Sequence, residues 1–349
     1  MTAGARAQRP RLGNRPKLHD VAARAGVSPG TVSNALNHPD RVAGSTLERI
    51  NVAIAELGFT RDGAASALAS GVSRTVGLVV TDLMNSLFVD MARGAQRAAR
   101  AEGLDLQLAD SDNDPEQQRG HLEFLHRART GGVLLAPGLD PHEDIALLRD
   151  WGKPFVLVNY RSHQDDCCAA LIDNEQVGYL AARHLIDLGR RRLAFVGGNS
   201  QAQPVILRRQ GVLRAVAESP GVSVDDVPTP DLNPPSGTLA GAQLVATPRR
   251  RRPDAVLAVT DLLAMAVIGE FAAAGVRVPD DVAVMGCDHN SVAWGGVIPL
   301  TSVTMRGQEL GEAGMKLLLE ELAEPVETHR HRTITLEPSV VVRESTAGR

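Results

Sequence analysis

Residues 20–37 read DVAARAGVSPGTVSNALN, and this stretch determines how the amino-terminal part of the chain folds. Small and apolar residues recur in it at a spacing that places side chains on one face of a helix. They are Val21, Ala22, Ala25, Val27, Val32 and Ala35. Gly26 ends the first helix, because glycine tolerates the left-handed conformation that a tight turn needs. Ser28 is placed to cap a second helix that begins at Pro29. The stretch therefore predicts two short helices joined by a tight turn.

A third helical pattern starts at Ser45-Thr46-Leu47-Glu48, which has the S-x-x-E form of a capping box. Its inward face is formed by Leu47, Ile50, Ile54 and Leu57. Three short helices with a tight first turn make a helix-turn-helix unit, whose second helix presents a polar face to the major groove of DNA. A generic helical hairpin is the alternative, but the turn glycine and the helix cap both favour the helix-turn-helix unit.

The charge of the chain is unevenly distributed. The 349 residues carry a net charge of −4, but residues 1–74 carry +5 and the remaining residues carry −9. A small basic head on a larger acidic body indicates that only the head meets a polyanion such as DNA.

Composition excludes several classes of protein. No run reaches the ~18 apolar residues that a membrane helix needs, so no membrane partner is predicted. The basic start MTAGARAQRPRLGNRPK is not followed by the apolar segment of a secretory signal. Cys167, Cys168 and Cys287 supply neither a disulfide framework nor a C-x-x-C pair. These features predict a cytoplasmic protein.

The head resembles the DNA-binding domain of the LacI/GalR family of transcriptional regulators. The similarity is carried by KLHDVAARAGVSPGTVSNALN (residues 17–37) and RVAGSTLERINVAIAELGF (residues 41–59). It continues through DGAASALASGVSRTVGLVV (residues 62–80), which is similar to the hinge and the first body strand of that family. The resemblance implies a sequence-specific regulator that binds double-stranded operator DNA.

The resemblance also implies base-facing positions for three residues of the second helix, which are Pro29, Gly30 and Asn34. Pro29 and Gly30 offer no side-chain hydrogen bond, whereas the Asn34 amide can form a bidentate pair with adenine. Short polar residues suited to contacting phosphate oxygens are Ser28, Thr31, Ser33 and Asn37.

Residues 62–71, DGAASALASG, correspond to the hinge helix of that family. The alanines favour a helix, but Gly63 disfavours it by about 0.5–1 kcal/mol, and so short a helix is marginal in water. We therefore expect this segment to become helical only when it is bound to DNA. Leu68 occupies the position of a leucine that, in relatives, wedges into the minor groove at the central base step. The alternative is a plain linker in which Leu68 touches the body.

From Thr75 onward, apolar strand-like runs alternate with amphipathic helical segments. The predicted strands are residues 76–81, 104–110, 131–137, 154–159, 192–198, 254–260 and 281–288. The predicted helices lie near residues 86–102, 116–129, 174–188, 205–218, 236–247, 261–274 and 306–323. Continuous Val, Leu and Ala strands with helices between them indicate parallel sheets covered on both faces. So long a body exceeds one hydrophobic core, so the predicted fold class is α/β with two such sheets.

Polar residues follow the strands at their carboxyl ends, where ligands bind in such folds. None of the motifs G-x-G-x-x-G, G-x-x-x-x-G-K-[ST] or G-x-S-x-G anchors a nucleotide-dependent or hydrolytic reaction here, so we predict no enzyme and no cofactor. The body instead resembles the type I periplasmic-binding-protein fold, with two subdomains, three crossovers and a cleft. That resemblance implies a small-molecule effector, and the sequence fits a sugar or related polyol.

The resemblance implies effector-contacting positions for Thr81, Phe88, Asn159, Arg208, Leu232, Thr260 and Asp288. A buried Arg208 and Asp288 need hydrogen-bonding partners, which a polyol can supply. Leu232 stands where some sugar-binding relatives stack an aromatic ring, and Thr260 stands where asparagine is usual.

The predicted organisation has five parts: a basic arm (1–16), a helix-turn-helix domain (17–60), a hinge and linker (61–74), a body (75–343) and a tail (344–349). Within the body, one subdomain takes about residues 75–173 and 306–335, and the other takes about residues 174–305 and 336–343. No apolar heptads follow the body, so no tetramerising helix is expected.

We therefore predict an effector-controlled transcriptional repressor that binds a pseudo-palindromic operator as a homodimer, because paired heads read paired half-sites. Two alternatives are a cytoplasmic small-molecule binding protein and an α/β sugar-metabolising enzyme, both without a DNA role. His329 and His331 alternate on a predicted strand, but without further ligands in the sequence they predict no metal site. Cys167 and Cys168 are interpreted as packing residues of an edge strand.

Overall fold

The protein is described by a computed structural model, which covers residues 16–59, 73–162, 166–289, 297–325 and 328–347. The chain divides into two compact units, residues 1–71 and residues 72–349, and each is described by itself. No helix in the described ranges is long and apolar enough to cross a membrane.

The first unit contains three helices, α1 (Leu18–Ala25), α2 (Pro29–Asn37) and α3 (Gly44–Leu57), and a 3-10 turn at Pro39–Arg41. Gly26 ends α1 with φ 65°, the left-handed conformation expected of the turn glycine. The buried core of this unit consists of Val21, Ala22, Ala25, Val32, Ala35, Ile50 and Ala53. The three predicted helices therefore surround one small apolar core.

The predicted capping box of α3 does not form. The helix begins at Gly44, and its N-cap is Ala43, which has no side chain that can accept a hydrogen bond. Ser45 is consequently the second residue of the first turn, too late to cap the helix. The S-x-x-E pattern is thus out of register with the helix start.

The second unit is built on twelve strands and nine helices, counted over the described residues. The strands are β1 (Thr75–Val80), β2 (Asp105–Asp110), β3 (Val133–Leu135), β4 (Phe155–Val158), β5 (Cys168–Ile172), β6 (Arg192–Val196), β7 (Ser223–Val227), β8 (Ala255–Ala258), β9 (Ala283–Asp288), β10 (Thr301–Thr304), β11 (Thr333–Leu336) and β12 (Ser339–Val341). The helices are α4 (Ser86–Ala101), α5 (Pro115–Arg127), α6 (His142–Asp150), α7 (Asn174–Asp187), α8 (Gln203–Ala217), α9 (Pro234–Ala246), α10 (Asp261–Ala273), α11 (Gly307–Ala323) and α12 (Glu344–Ala347).

The strands form two six-stranded sheets, and each sheet with its helices is called a lobe here. The first lobe has the strand order β11-β5-β4-β3-β1-β2, with all neighbours parallel. The second lobe has the order β12-β10-β9-β8-β6-β7, in which only β12 runs antiparallel to its neighbour. The chain passes between the lobes after β5, after β10 and after β11. The predicted α/β fold with two parallel sheets is confirmed.

Both faces of the first sheet are buried, as continuous apolar strands predict. Alternate residues of β1 and β3 point to opposite faces: Leu78 and Leu134 lie in the core beneath α4 and α11, whereas Val79 and Leu135 lie in the core beneath α5 and α6. This double burial removes the polar–apolar alternation of a half-exposed strand.

Several short elements escaped prediction. They are α6, α12 and the strands β7, β10 and β12. Strands near β5 and β11 were expected only through Cys167–Cys168 and His329–His331, without bounds. The sequence of β7 is SVDDV and it is an exposed edge strand, so its pairing and not its apolarity makes it a strand. The edge-strand interpretation of Cys167 and Cys168 was wrong, because β11 returns from the end of the chain and covers β5.

Helices α7 and α8 pack with their backbones in direct contact. A Cβ atom placed on Gly178 would lie 1.8 Å from the carbonyl oxygen of Arg208, and one on Gly211 would lie 1.8 Å from the carbonyl oxygen of Glu175. No side chain fits at either position, so the two glycines set the spacing between the helices. Because Arg208 is part of this contact, the spacing also sets its position.

The substitution Gly178→Ala should lower the free energy of unfolding by about 2–3 kcal/mol, because α7 and α8 must separate to admit the methyl group. Gly120→Ala is the matched control, since Gly120 is exposed in α5 and a Cβ atom placed there would meet no atom within 4 Å. The control should stabilise the chain by up to about 1 kcal/mol. Urea denaturation of both variants measures the difference, and equal stability of the two variants would contradict the close-packed contact.

Candidate functional site

The outward face of α2 carries the residues predicted to read DNA. Pro29, Gly30 and Asn34 are all exposed, whereas Val32 and Ala35 are buried against the head core. At about 100° per residue, the positions of Pro29, Ser33, Asn37, Gly30 and Asn34 span about 140° of the helix surface, opposite the buried pair. The predicted base-facing positions Pro29, Gly30 and Asn34 thus lie on one exposed face.

Ser28 and Thr31 are partly committed to the helix start. Ser28 Oγ accepts a hydrogen bond from the Thr31 backbone N–H at 3.1 Å, which is the predicted N-cap. The two hydroxyl groups also hydrogen-bond each other at 2.9 Å. Since that bond uses one of their two hydroxyl hydrogens, the pair retains one hydrogen to donate to a phosphate oxygen. Leu68 and the rest of the predicted hinge helix lie outside the described residues.

A cavity of the body lies between the two lobes, at the carboxyl ends of their strands. It encloses about 340 Å³. Residues that follow strands of the first lobe form one wall, and residues that follow strands of the second lobe form the other. All of the predicted effector positions line this one cavity: Thr81, Phe88, Asn159, Arg208, Leu232, Thr260 and Asp288.

Arg208 and Asp288 form a buried ion pair at the floor of the cavity. Arg208 Nη2 lies 3.6 Å from Asp288 Oδ1, and the two side chains are 4% and 1% exposed. Arg208 Nε donates to Asn174 Oδ1 at 3.1 Å, and Nη1 donates to the Val259 carbonyl oxygen. These contacts hold the guanidinium in one orientation.

The same floor connects the lobes through hydrogen bonds. Asn85, at the start of α4 in the first lobe, donates its Nδ2 to Asp288 Oδ2 of the second lobe at 3.0 Å. Asn174, at the start of α7 in the second lobe, donates to Asn159 Oδ1 of the first lobe at 2.8 Å. We call Asn85, Asn159, Asn174, Arg208 and Asp288 the bridging network. A ligand that contacts network members from both sides contacts both lobes.

One acceptor of the bridging network stays open. Asp288 Oδ1 is buried and accepts no hydrogen bond from the described residues, although Asp288 Oδ2 is engaged by Asn85. A buried carboxylate oxygen without a donor is unfavourable. A ligand hydroxyl or N–H that enters the cavity can supply the missing donor.

Burial raises the pKa of Asp288 to about 6, although the Arg208 guanidinium and the Asn85 amide both lower it. Loss of hydration outweighs these lowering contributions because the carboxylate is fully withdrawn from water. The proton on Asp288 is therefore sensitive to what occupies the cavity.

The mouth of the cavity is acidic on both sides. Asp82 and Asp112 belong to the first lobe, and Asp231 belongs to the second. Burial raises the pKa of the Asp82 carboxyl, and the neighbouring carboxylates Asp110, Asp112 and Asp231 raise it further. Carboxylates from both lobes thus repel one another across the mouth.

Thr81 and Thr260 support the walls by their own hydrogen bonds. The Thr81 hydroxyl donates to the Ala136 carbonyl oxygen at 2.8 Å. Thr260 caps α10, with its Oγ1 accepting from the Leu263 backbone N–H at 3.3 Å. Both hydroxyl groups keep hydrogen-bonding capacity toward a ligand, because a hydroxyl is one donor and two acceptors.

The sequence did not reveal several residues of this site. Asn85 and Asn174 occupy the starts of helices, where asparagine is common as a cap, so neither was distinguishable from an ordinary capping residue. Asn174 also follows β5, a strand whose end the sequence pattern did not delimit. Other polar residues of the lining that were missed are Asp82, Asp112, Asn113, Asn199, Ser200, Gln201, Thr229 and Asp231.

Two family models match the chain. Residues 17–62 match the family described as bacterial regulatory proteins, lacI family, and residues 182–346 match the periplasmic binding protein-like domain. The HTH-type transcriptional repressor PurR of Photobacterium profundum is 30% identical over 333 residues, which cover 94% of this chain and 98% of that protein. PurR of Erwinia tasmaniensis is 31% identical over 333 residues, with 95% and 96% covered.

Solved structures show the same architecture. The complex of the transcriptional regulator CelR with cellobiose has a TM-score of 0.69 at 30% identity, covering 95% of this chain and all of that one. The lac repressor dimer bound to operator and the anti-inducer ONPF has a TM-score of 0.81, covering 95% of this chain and 99% of that one. At 22% identity, the second similarity shows the shared fold alone.

A helix-turn-helix head and a two-lobed body with a cavity between its lobes define the class of effector-controlled, DNA-binding regulators. The chain belongs to the LacI family of transcriptional repressors, as the identity to full-length family members shows. It is a DNA-binding transcriptional repressor with an effector-binding body, and not an enzyme.

Asp288 should give the ligand-free body a distinctive pH dependence. Its folded pKa of about 6 exceeds the usual value of about 3.9 in an unfolded chain, so the folded protein holds a proton that the unfolded chain loses. The contribution of Asp288 to stability is therefore fully present below about pH 4 and lost as the pH rises through 6. Relative to Asp288→Asn, the wild type should lose about 2 kcal/mol of unfolding free energy between about pH 4.5 and 7.5. Urea titrations at each pH measure this difference, and a difference that stays constant or grows with pH would contradict the assignment.

Proposed function

We propose that this repressor binds a pseudo-palindromic operator as a homodimer, and that a carbohydrate or related polyol in the cavity changes its operator affinity. The observation that carries the proposal is the bridging network, which takes residues from both lobes and leaves Asp288 Oδ1 open. A ligand shifts a conformational equilibrium only through contacts that differ between the states. Contacts to both lobes differ whenever the lobes move relative to each other.

The lining of the cavity favours an uncharged, hydroxyl-rich ligand. Asparagine and threonine side chains of the walls alternate with apolar surfaces such as Phe88 and Leu232, a combination that suits the hydroxyl groups and the carbon faces of a sugar. Arg208 is the sole lysine or arginine among the described lining residues, and its charge faces Asp288. Carboxylates at the mouth disfavour phosphorylated or acidic ligands by repulsion. A cavity of about 340 Å³ fits one or two sugar rings.

The homodimer follows from the size of the reading surface. On one α2, Asn34 is the residue assigned to bidentate base pairing, and the other polar residues are short groups assigned to phosphate contacts. One such head contacts too few bases to select a site in a genome, whereas two heads related by a two-fold axis read two half-sites. The repressor would act in the cytoplasm, where the bacterial DNA is.

Asn34→Ala should weaken operator binding by about 1–3 kcal/mol and relax the preference at one base pair in each half-site, because Asn34 makes the bidentate contact. Selection of bound duplexes from a random library, followed by titration of the consensus, measures both effects. Asn51→Ala is the matched control, since Asn51 is an exposed asparagine on α3 outside the reading face. An identical consensus for wild type and Asn34→Ala would remove Asn34 from base reading.

Arg208→Lys should leave operator binding intact and raise the effector dissociation constant by about 10–100-fold. Lysine keeps the charge beside Asp288 but loses the planar fork that holds Asn174 and the Val259 carbonyl, and bonds of this kind contribute about 1.5–3 kcal/mol each. Arg208→Ala is a poorer test, because it leaves Asp288 buried without a charge partner.

Calorimetric titration tests this substitution, with cellobiose first and then a panel of unphosphorylated mono- and disaccharides. Arg209→Lys is the control: Arg209 neighbours Arg208 but pairs with exposed Asp226 outside the cavity. The dissociation constant of the control should match the wild type. If none of the sugars binds the wild type, the carbohydrate assignment fails. Equal affinities of the two lysine variants would exclude Arg208 from effector binding.

A further inference from the structure

A cluster of metal-ligating side chains lies far from the cavity, at the end of the first sheet where its parallel strands begin. Cys168 is the first residue of β5, Glu321 lies in the last turn of α11, and His329 and His331 precede β11. Each side chain offers one ligand atom, and these atoms all lie within 4.8 Å of one another. Four ligand atoms at this separation are enough for a tetrahedral site.

The distances within the cluster already approach those of a tetrahedral metal site. Cys168 Sγ lies 3.2 Å from His329 Nε2 and 3.8 Å from His331 Nδ1. Metal–ligand bonds of about 2.0–2.3 Å in a tetrahedron separate neighbouring ligand atoms by about 3.3–3.8 Å. The other ligand atoms are at most 4.8 Å apart, so a metal at the centre requires them to approach by about 1–1.5 Å at most.

One oxygen of the Glu321 carboxylate is buried without a hydrogen-bond donor among the described residues. Oε2 is inaccessible to solvent and accepts no hydrogen bond from the described part of the chain. Leaving a buried carboxylate oxygen without a partner is costly, and native structures rarely do so. A cation shared with the neighbouring thiol and imidazoles would satisfy it.

His329 is oriented in the manner of a metal-bound histidine. Its Nδ1 lies 2.8 Å from Glu324 Oε2, so its Nε2 is the nitrogen that faces Cys168. A carboxylate that holds the second ring nitrogen is the usual support of a zinc-binding histidine. The two imidazole rings meet edge to face, with centroids 5.1 Å apart and an angle of 72°. Each ring directs one nitrogen at Cys168 Sγ, Nε2 from His329 and Nδ1 from His331.

We propose that Cys168, Glu321, His329 and His331 bind one Zn²⁺ ion. A thiolate with two imidazoles selects a borderline-soft metal such as zinc and not Mg²⁺ or Ca²⁺, which prefer oxygen ligands. All four positions of the tetrahedron are filled by protein, so the site is structural and offers no position for a substrate. On binding, the Cys168 thiol releases its proton to solvent as the Zn–S bond forms. His331 is exposed and marks the path by which the ion enters.

The proposed ion would crosslink three segments at one end of the first lobe. It joins β5 to the last turn of α11 and to the segment that leads into β11, both of which are distant from β5 in the sequence. β11 is the outermost strand and pairs with β5 alone. Zinc should thus stabilise this edge without altering the cavity at the opposite ends of the strands.

The test uses the full-length chain, stripped of metal with a chelator and titrated with Zn²⁺ in a calorimeter. We expect one Zn²⁺ per chain and a rise in Tm of about 5 °C at a hundredfold excess over the dissociation constant. Co²⁺ serves as the spectroscopic probe, because a tetrahedral cobalt–thiolate site shows intense visible bands and a sulfur-to-cobalt charge-transfer band.

Two variants and one control decide which residues bind the ion. Cys168→Ser should abolish the charge-transfer band, and His331→Ala should weaken Zn²⁺ binding by at least about tenfold. If Cys168→Ser does not fold, the exposed position of His331 leaves His331→Ala as the deciding variant. Cys167→Ser is the control, since Cys167 packs against the opposite face of the sheet. The proposal is overturned if the wild type binds no stoichiometric Zn²⁺, if His331→Ala binds as tightly as the wild type, or if Cys167→Ser loses binding equally.

Discussion

The body depends on one interaction, the ion pair between Arg208 and Asp288. Two opposite charges withdrawn from water are costly unless every remaining donor and acceptor finds a partner. Arg208 finds partners in Asn174 and the Val259 carbonyl. Asp288 is engaged by Asn85 at Oδ2, whereas its Oδ1 accepts no hydrogen bond from the described residues. The missing hydrogen bond at Asp288 Oδ1 makes the pair a site for a ligand, because a ligand donor can form the bond that the described residues do not supply.

The surrounding structure positions this pair. Direct backbone contact of α7 and α8 at Gly178 places Arg208, and the carboxyl end of β9 places Asp288. Asn85 and Asn174 then carry the pair's hydrogen bonds across the gap between the lobes. A ligand in the cavity consequently meets a network that already senses the arrangement of both lobes. This is the physical basis on which a small molecule can control a repressor whose DNA-reading helix lies in the other unit of the chain.

The sequence predicted much of this arrangement, and the exceptions have physical causes. Polar residues at strand ends, such as Asn159 and Asp288, were predictable because parallel strands bring their carboxyl ends to one edge. Asn85 and Asn174 were not, because an asparagine at the start of a helix looks the same whether or not its amide also crosses to another lobe. The Cys168 cluster was not, because Cys168 is separated from the other members by more than 150 positions and meets them only when β11 pairs with β5. His329 and His331 were expected on a strand, yet β11 begins after them, at Thr333. Pairing between distant segments, which local patterns do not encode, accounts for the missed Cys168 cluster.

We infer that the effector acts by completing the bridging network. The decisive experiment is a high-resolution structure of the body with a bound sugar that changes operator affinity. We expect a ligand hydroxyl within hydrogen-bonding distance of Asp288 Oδ1, with Arg208 still bound to Asn174 and with ligand contacts to both lobes. A complex in which the ligand contacts only one lobe, or leaves Asp288 Oδ1 without a donor, would contradict this mechanism.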